Sequence, residues 1–314
     1  MTLYYKSLVF FLLHFIFFNA LYSQDFVKKM FDRLDKNEDG ILRKEELSQK
    51  QWNRLTDFDL NGDLEITKNE FIEKSNENRS KKSQSISPLP TEKDLEYSSS
   101  YQRSKLDLWL PEGDANIPTP IVVWFHGGGF VGGNKSRTRA ELFPLLDQGV
   151  AVCSVGYPLL KDPDFKGRFK SKEEGIQLIM KEVIKSIDYL KSNAESFQLD
   201  PEKIVISGSS AGCLIAEFLT YNTQLGISAC IGIQQPTGTK SFIPFIESGE
   251  APLFLFTSSS PRDKIHHPDF AKSVKDHCDQ LGVECHLFGS EKSGLPILKE
   301  GINIFQYGLE VLLN

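Results

Sequence analysis

The run Lys203-Ile204-Val205-Ile206-Ser207 passes directly into Gly208-Ser209-Ser210-Ala211-Gly212, and a helix-like segment, Cys213 to Thr220, follows at once. A strand, a tight turn and a helix in that order leave the rest of a chain little freedom. The strand must lie in a sheet, the helix must return across one face of it, and the residue at the apex is forced out at the sheet's carboxyl edge. Gly208 and Gly212 leave room for strand and helix to approach, and Ser210 occupies the apex. A Gly-x-Ser-x-Gly pentad is common by chance; its strand-to-helix setting makes Ser210 a candidate nucleophile.

The flanking sequence agrees with such a sheet. Leu106 to Leu110 alternates apolar and polar residues as a half-buried strand does, whereas Ile121 to Phe125 is a continuous apolar strand. Val150–Val155, Pro252–Thr257 and Glu284–Phe288 read as further strands, and Lys172–Ser192 as an amphipathic helix. Alternating elements predict an α/β fold, a mostly parallel sheet with helices on both faces. Directly after the Ile121 strand stands His126-Gly127-Gly128-Gly129-Phe130. Glycine-rich backbone there can aim N–H groups at a carbonyl held over Ser210, so Gly128, Gly129 and the N–H of Ala211 are the expected oxyanion donors. His126 is read as a residue that holds this loop.

Composition changes sharply toward the amino terminus. Residues 1–23 carry Lys6, an apolar run from Leu8 to Phe18, and then Asn19-Ala20-Leu21-Tyr22-Ser23. This is signal-peptide grammar, and the run is shorter than the roughly 20 residues that cross a bilayer. The expectation is a secreted or periplasmic protein, with a membrane-anchored form as the alternative if this segment is not cleaved. Residues 24–74 are acidic and helical in pattern, residues 75–92 form a Ser, Asn, Lys and Pro rich linker, and residues 93–314 carry the sheet.

Within the acidic stretch, Asp35 to Glu46 fits the twelve-residue EF-hand calcium loop. Its oxygen ligands would be Asp35, Asn37, Asp39, the Ile41 carbonyl and a bidentate Glu46, with Gly40 at the sharp turn. A second loop runs from Asp59 to Glu70, with Asp59, Asn61, Asp63, the Glu65 carbonyl and Glu70 as ligands. Leu64 stands where glycine is expected, and a left-handed Cβ costs roughly 1–2 kcal/mol, so the second loop should bind more weakly. The fold expectation is a small all-α EF-hand pair preceding the α/β domain, with Ca2+ bound in a structural or regulatory role and no cofactor for catalysis. A protein partner of this module is a further expectation.

His-Gly-Gly-Gly-Phe at 126–130, the Gly-x-Ser-Ala-Gly turn at 208–212 and the Asp200-Pro201-Glu202-Lys203-Ile204 approach resemble the hormone-sensitive-lipase-like and feruloyl-esterase-like α/β-hydrolases of bacteria. The resemblance covers about Leu95 to Leu313. It implies carboxylic-ester hydrolysis through an acyl-enzyme, with an acid after the penultimate strand and a His after the last. Asp263 falls where the acid should be. The base is missing from its place: the segment Gly289 to Pro296 contains no His, and none occurs beyond His286. His266 and His267 follow Asp263 on a loop at the same sheet edge as Ser210 and are the substitute candidates. Two readings stay open, an esterase with a rearranged base and a catalytically silent fold that serves as a calcium-dependent binding or scaffold protein.

A net charge of -6 and the absence of a basic cluster interleaved with aromatics exclude nucleic acid as the expected partner. A small ester or acylated polysaccharide is the expected substrate. Of the five cysteines, the first three, Cys153, Cys213 and Cys230, show no metal-type spacing, and Cys278 and Cys285, flanking a helix-to-strand connection, are the one candidate disulfide.

Overall fold

The computed structural model describes residues 28, 31–83, 88–112, 117–238 and 245–313. The segment read as a signal peptide lies outside the described residues. The chain divides into two compact units, residues 1–86 and 87–314.

In the first unit, β1 (Ile41–Leu42), α1 (Gln49–Leu55), β2 (Ile66–Thr67) and α2 (Lys68–Ser83) follow in order. β1 and β2 pair antiparallel, with Leu42 opposite Ile66, so the eighth positions of the two twelve-residue loops face each other. The expected all-α module therefore contains a two-stranded ribbon. Phe31, Leu42, Leu47, Trp52, Ile66 and Phe71 form its core. α1 starts at Ser48 because the Gln51 side chain accepts from the Ser48 N–H at 2.9 Å while the Ser48 hydroxyl accepts from the Gln51 N–H. Helix α2 runs on to Ser83, so the beginning of the expected 75–92 linker is helical.

The second unit is built on one sheet. Its elements are β3 (Glu92–Glu96), β4 (Lys105–Trp109), β5 (Thr119–Phe125), β6 (Ala151–Val155), α3 (Lys172–Ser192), β7 (Leu199–Ser209), α4 (Ala211–Tyr221), β8 (Ala229–Ile233), β9 (Leu253–Thr257), α5 (Pro268–Leu281), β10 (Cys285–Gly289) and α6 (Ile304–Leu313). The eight strands lie in the order β10-β9-β8-β7-β5-β6-β4-β3. From β10 to β6 every pairing is parallel, and β4 and β3 close the edge antiparallel.

Period two along β5 sends Val123 and Phe125 to one face and Val122 and Trp124 to the other. The first face packs on α3, α4 and α5 through Ile179, Val183, Ile215 and Val274. The second packs on the helical segment Ala140–Gln148 and on α6, through Leu142, Leu145, Phe305 and Leu309. With both faces covered, the central strands are buried along their length, which explains their continuous apolar reading. Burying each such Val, Leu, Ile or Phe side chain contributes about 1.5–3 kcal/mol.

All five cysteines are free thiols, Cys278 and Cys285 included. The disulfide considered for that pair is therefore absent from this structure. No helix among the described residues is long and apolar enough to cross a membrane.

Candidate active site

Ser210 stands at the junction of β7 and α4 with φ 56° and ψ −116°, a backbone region that L-residues avoid unless the surroundings enforce it. The enforcement is visible. The Ser210 N–H donates to the Ile233 carbonyl at the end of β8 (2.9 Å), and the Ser210 carbonyl accepts from the Cys213 N–H (2.9 Å) as the first turn of α4. A Cβ on Gly208 would collide with the Gly212 carbonyl, and one on Gly212 with the Phe125 carbonyl. Both glycines are thus required by the close crossing of strand and helix.

The ring of His266 meets this hydroxyl, with Nε2 2.9 Å from Ser210 Oγ. On its other side, His266 Nδ1 is 3.4 Å from Asp263 Oδ2. A carboxylate only accepts, so the neutral imidazole carries its proton on Nδ1 and presents Nε2 as the acceptor for the Ser210 hydroxyl. The 3.4 Å separation is at the outer limit of a hydrogen bond, the looseness common in sites without substrate. Asp263 is itself held by its own loop: Oδ1 accepts from the backbone N–H groups of Ile265 (2.8 Å) and His266 (3.0 Å). Oδ2 accepts from Ser259 Oγ (2.9 Å). The His266 backbone N–H above all, then that of Ile265 and the Ser259 hydroxyl, lowers the Asp263 pKa to about 2.

Of the two substitute bases expected from sequence, the structure brings His266 to Ser210 and not His267. His267 is the N-cap of α5, its ring Nδ1 accepting from the Asp269 N–H at 3.2 Å. Nor is the usual place of the base an open vacancy. After β10, Ser293 is buried, and its hydroxyl donates to the Ser290 carbonyl (2.6 Å) and accepts from the Ser290 N–H (3.0 Å). That turn is closed on itself.

The oxyanion loop leaves β5 with Gly128 at φ 126° and Gly129 at φ 62°, both exposed. Among the described residues no partner occupies the N–H groups of Gly128, Gly129 or Ala211, so all three expected donors are free to bind an anion. Tyr157 anchors the loop by donating to the His126 carbonyl (2.6 Å) and stacking on the His126 ring. His126 Nδ1 lies 2.8 Å from the Gly127 carbonyl.

Two supporting residues, Gln234 and Ser259, escaped the sequence reading. Gln234, at φ 54°, donates from Nε2 to Ser258 Oγ (2.6 Å) and accepts from Ser259 Oγ at 3.2 Å. It steadies the hydroxyl that contacts Asp263. The only sequence signal was the polar run Ser258-Ser259-Ser260 after a strand, which any turn could supply.

Residues 106–231 match the family model described as BD-FAE. That span holds the oxyanion loop and Ser210 but ends before Asp263 and His266. Among curated proteins, the chain is 34% identical over 107 residues to gut esterase 1 of Caenorhabditis elegans, covering 33% of this chain and 18% of that protein. It is 30% identical over 122 residues to acetylcholinesterase of Gallus gallus, covering 36% of this chain and 15% of that protein. The chain therefore spans less than a fifth of the length of these two relatives. Among solved structures, it is similar to the thermophilic esterase Est2 of Thermogutta terrifontis at 17% identity and TM-score 0.53, covering 68% of this chain and 88% of that one. A truncated carbohydrate esterase from gut microbiota aligns at 16% identity and TM-score 0.52, covering 63% of this chain and 86% of that one. With its mostly parallel sheet and helices on both faces, the second unit has the α/β-hydrolase fold that these esterases share.

Proposed function

We propose that this chain is a secreted carboxylic-ester hydrolase working through Ser210, with an amino-terminal calcium-binding pair. The observation that carries the reading is the 2.9 Å approach of His266 Nε2 to Ser210 Oγ. Nucleophile and base stand in hydrogen-bond reach and a carboxylate orients the base, the arrangement that activates a serine. In the first half-reaction Ser210 Oγ attacks the ester carbonyl carbon while its proton passes to His266 Nε2. The negative charge moves onto the former carbonyl oxygen, where the N–H groups of Gly128, Gly129 and Ala211 stabilise it. Collapse breaks the bond to the alcohol, which leaves with the proton from His266, and an acyl-enzyme remains. Water then attacks the acyl carbon, giving its proton to His266, and Ser210 recovers that proton as the acid departs.

The exposed Gly128 and Gly129 suit small or polymer-attached acyl groups, so small esters and acylated polysaccharides are the proposed substrates. Labelling with a fluorophosphonate probe tests the reading. The expected result is labelling of the wild type and none of Ser210→Ala; an unlabelled wild type would support the catalytically silent fold instead.

For the first unit, the donor chemistry fits calcium. Asp35, Asn37, Asp39, the Ile41 carbonyl and Glu46 form an all-oxygen set around the Gly40 turn at φ 81°, and Asp59, Asn61, Asp63, the Glu65 carbonyl and Glu70 repeat it. Among the described residues no three His, Cys, Asp or Glu side chains already stand together as a metal cluster. Asp39 is engaged by Arg43, and Glu46 accepts from the backbone N–H groups of Lys36, Asn37 and Arg43. Calcium would supply cross-linking charge between these oxygens. Titration calorimetry of the full chain tests it, with heat expected below millimolar calcium and greatly reduced in Glu46→Gln.

A further inference from the structure

Beside the oxyanion loop lies a cavity of about 380 Å3, lined by Trp124, His126, Gly128, Arg137, Arg139 and Ser209 among others. Three of its wall residues bring a buried nitrogen with no hydrogen-bond partner: Trp124 Nε1, His126 Nε2 and Arg139 Nε. Trp124 and His126 are almost fully buried. Buried polar atoms without partners are rare in native folds and are commonly satisfied by a bound water, ion or ligand. No acidic side chain lines this cavity. Arg137 makes no ion pair among the described residues, and Arg139 is paired only through Nη2, to Glu141.

We propose that this cavity receives a carboxylate carried by the ester substrate, with Arg139 and Arg137 as its cationic partners and Trp124 Nε1 as a neutral donor. The inference rests on the esterase reading and names a substrate class for that same site. Charge and geometry both favour it. Arg137 has no opposing acid among the described residues and Glu141 engages Arg139 only at Nη2, so the lining keeps a net positive charge, and the Nε edge of Arg139 is the part of its planar fork left without a partner. His126 has a different part. Its Nδ1 faces a carbonyl and so holds the ring proton, and burial keeps the imidazole below its ordinary pKa. Nε2 is then an acceptor, suited to a hydroxyl or water next to the carboxylate.

The position ties the cavity to the chemistry. Gly128 and Ser209 belong to its wall, so an anion seated there lies beside the oxyanion donors and one residue from the nucleophile. Arg139 also lines a larger, mainly apolar cavity of about 690 Å3, whose wall includes Ile233, Phe256 and Phe305 together with Glu141, Glu291 and Lys292. The Ile233 carbonyl is the acceptor that fixes the Ser210 N–H. The larger cavity, whose acids Glu141 and Glu291 lie outside the lining of the smaller one, thus meets the cationic cavity at Arg139, an arrangement that seats an apolar body in the first and an acidic end in the second.

The test compares matched pairs of esters, acidic against neutral. On the acyl side these are para-nitrophenyl hydrogen succinate and para-nitrophenyl butyrate; on the alcohol side, the acetates of para-hydroxybenzoate and para-hydroxybenzamide. In at least one pair the wild type should prefer the acidic ester in kcat/KM by roughly tenfold or more, the discrimination of a charge-assisted bond. That ratio should fall toward one in R139Q and in R137Q, while R139K keeps an intermediate value. Taking a ratio cancels any general loss of activity, and the exposed Arg137 keeps the test available if R139Q folds poorly. Ser210-dependent hydrolysis with no acidic preference in either pair, or a preference that survives both Gln variants, would overturn the inference alone. Absence of Ser210-dependent hydrolysis of all these esters would overturn the esterase reading and the inference with it.

Discussion

Asp263 and His266 sit three residues apart on one loop, and the carboxylate that faces the His266 ring at 3.4 Å also accepts the backbone N–H of His266 at 3.0 Å. One side chain therefore both folds the loop and orients the base. His266→Ala should lower kcat by about three orders of magnitude, comparable to Ser210→Ala, because members of one catalytic unit fail together. His267→Ala, which removes an N-cap contact, should leave kcat within a fewfold and cost about 1 kcal/mol of stability. Steady-state kinetics with chemical denaturation of both variants checks the pair.

The low Asp263 pKa sets the sign of the pH dependence. With its carboxylate ionised down to about 2, Asp263 keeps the charge that orients His266 until far below neutral pH. Protonation of Asp263 should therefore not limit kcat/KM until pH falls to about 2, and Ser259→Ala, which removes only one of the smaller contributions to that low value, should lower kcat modestly without bringing a carboxylate inflection near neutral pH. A carboxylate inflection well above pH 2 in the pH–rate profile of the wild type would overturn this assignment of Asp263.

Buried Glu217 on α4 has no contact with Ser210, yet it makes stability pH-dependent. Burial pushes its pKa up to about 8, although Gln235 Nε2 donates to Oε2 at 3.0 Å. Its ordinary value is 4.5, so the folded state holds a proton that the unfolded chain releases between these two values. Stability from this group is full below about 4.5 and is lost as pH rises through 8. Scanning calorimetry across pH 5–8 should show a declining Tm in the wild type and a flatter curve in Glu217→Gln.

In the second calcium loop, Leu64 adopts φ 67° with its side chain 73% exposed. It bears the left-handed strain and buries almost nothing in return. Leu64→Gly should stabilise the first unit by up to about 1 kcal/mol, the relieved strain being partly offset by glycine's greater freedom when unfolded. It should also tighten calcium binding at that loop, and calorimetric titration against the wild type measures both effects.

The features legible in the sequence are those governed by short-range sterics and periodicity. Ser210 at a strained turn between two glycines, the glycine run at 127–129, the strand alternation and the facing eighth positions of the acidic loops all follow from residues within one element or its neighbour. That the chain stays helical to Ser83 was not legible, because a polar, weakly amphipathic helix such as α2 carries no strong periodic signal. Which imidazole reaches Ser210 was not legible, since His266 and His267 are adjacent and both polar. It depends on β8 lying between β7 and β9, which puts the loop after β9 within reach of the nucleophile, and on Asp263 folding that loop so that one ring points in and the next caps a helix. The meeting of Trp124, His126 and Arg139 around one cavity is of the same kind: residues from a strand, a loop and the start of a helical segment share a wall only after the sheet has twisted and packed, because no local rule couples side chains that the chain brings together from separate elements.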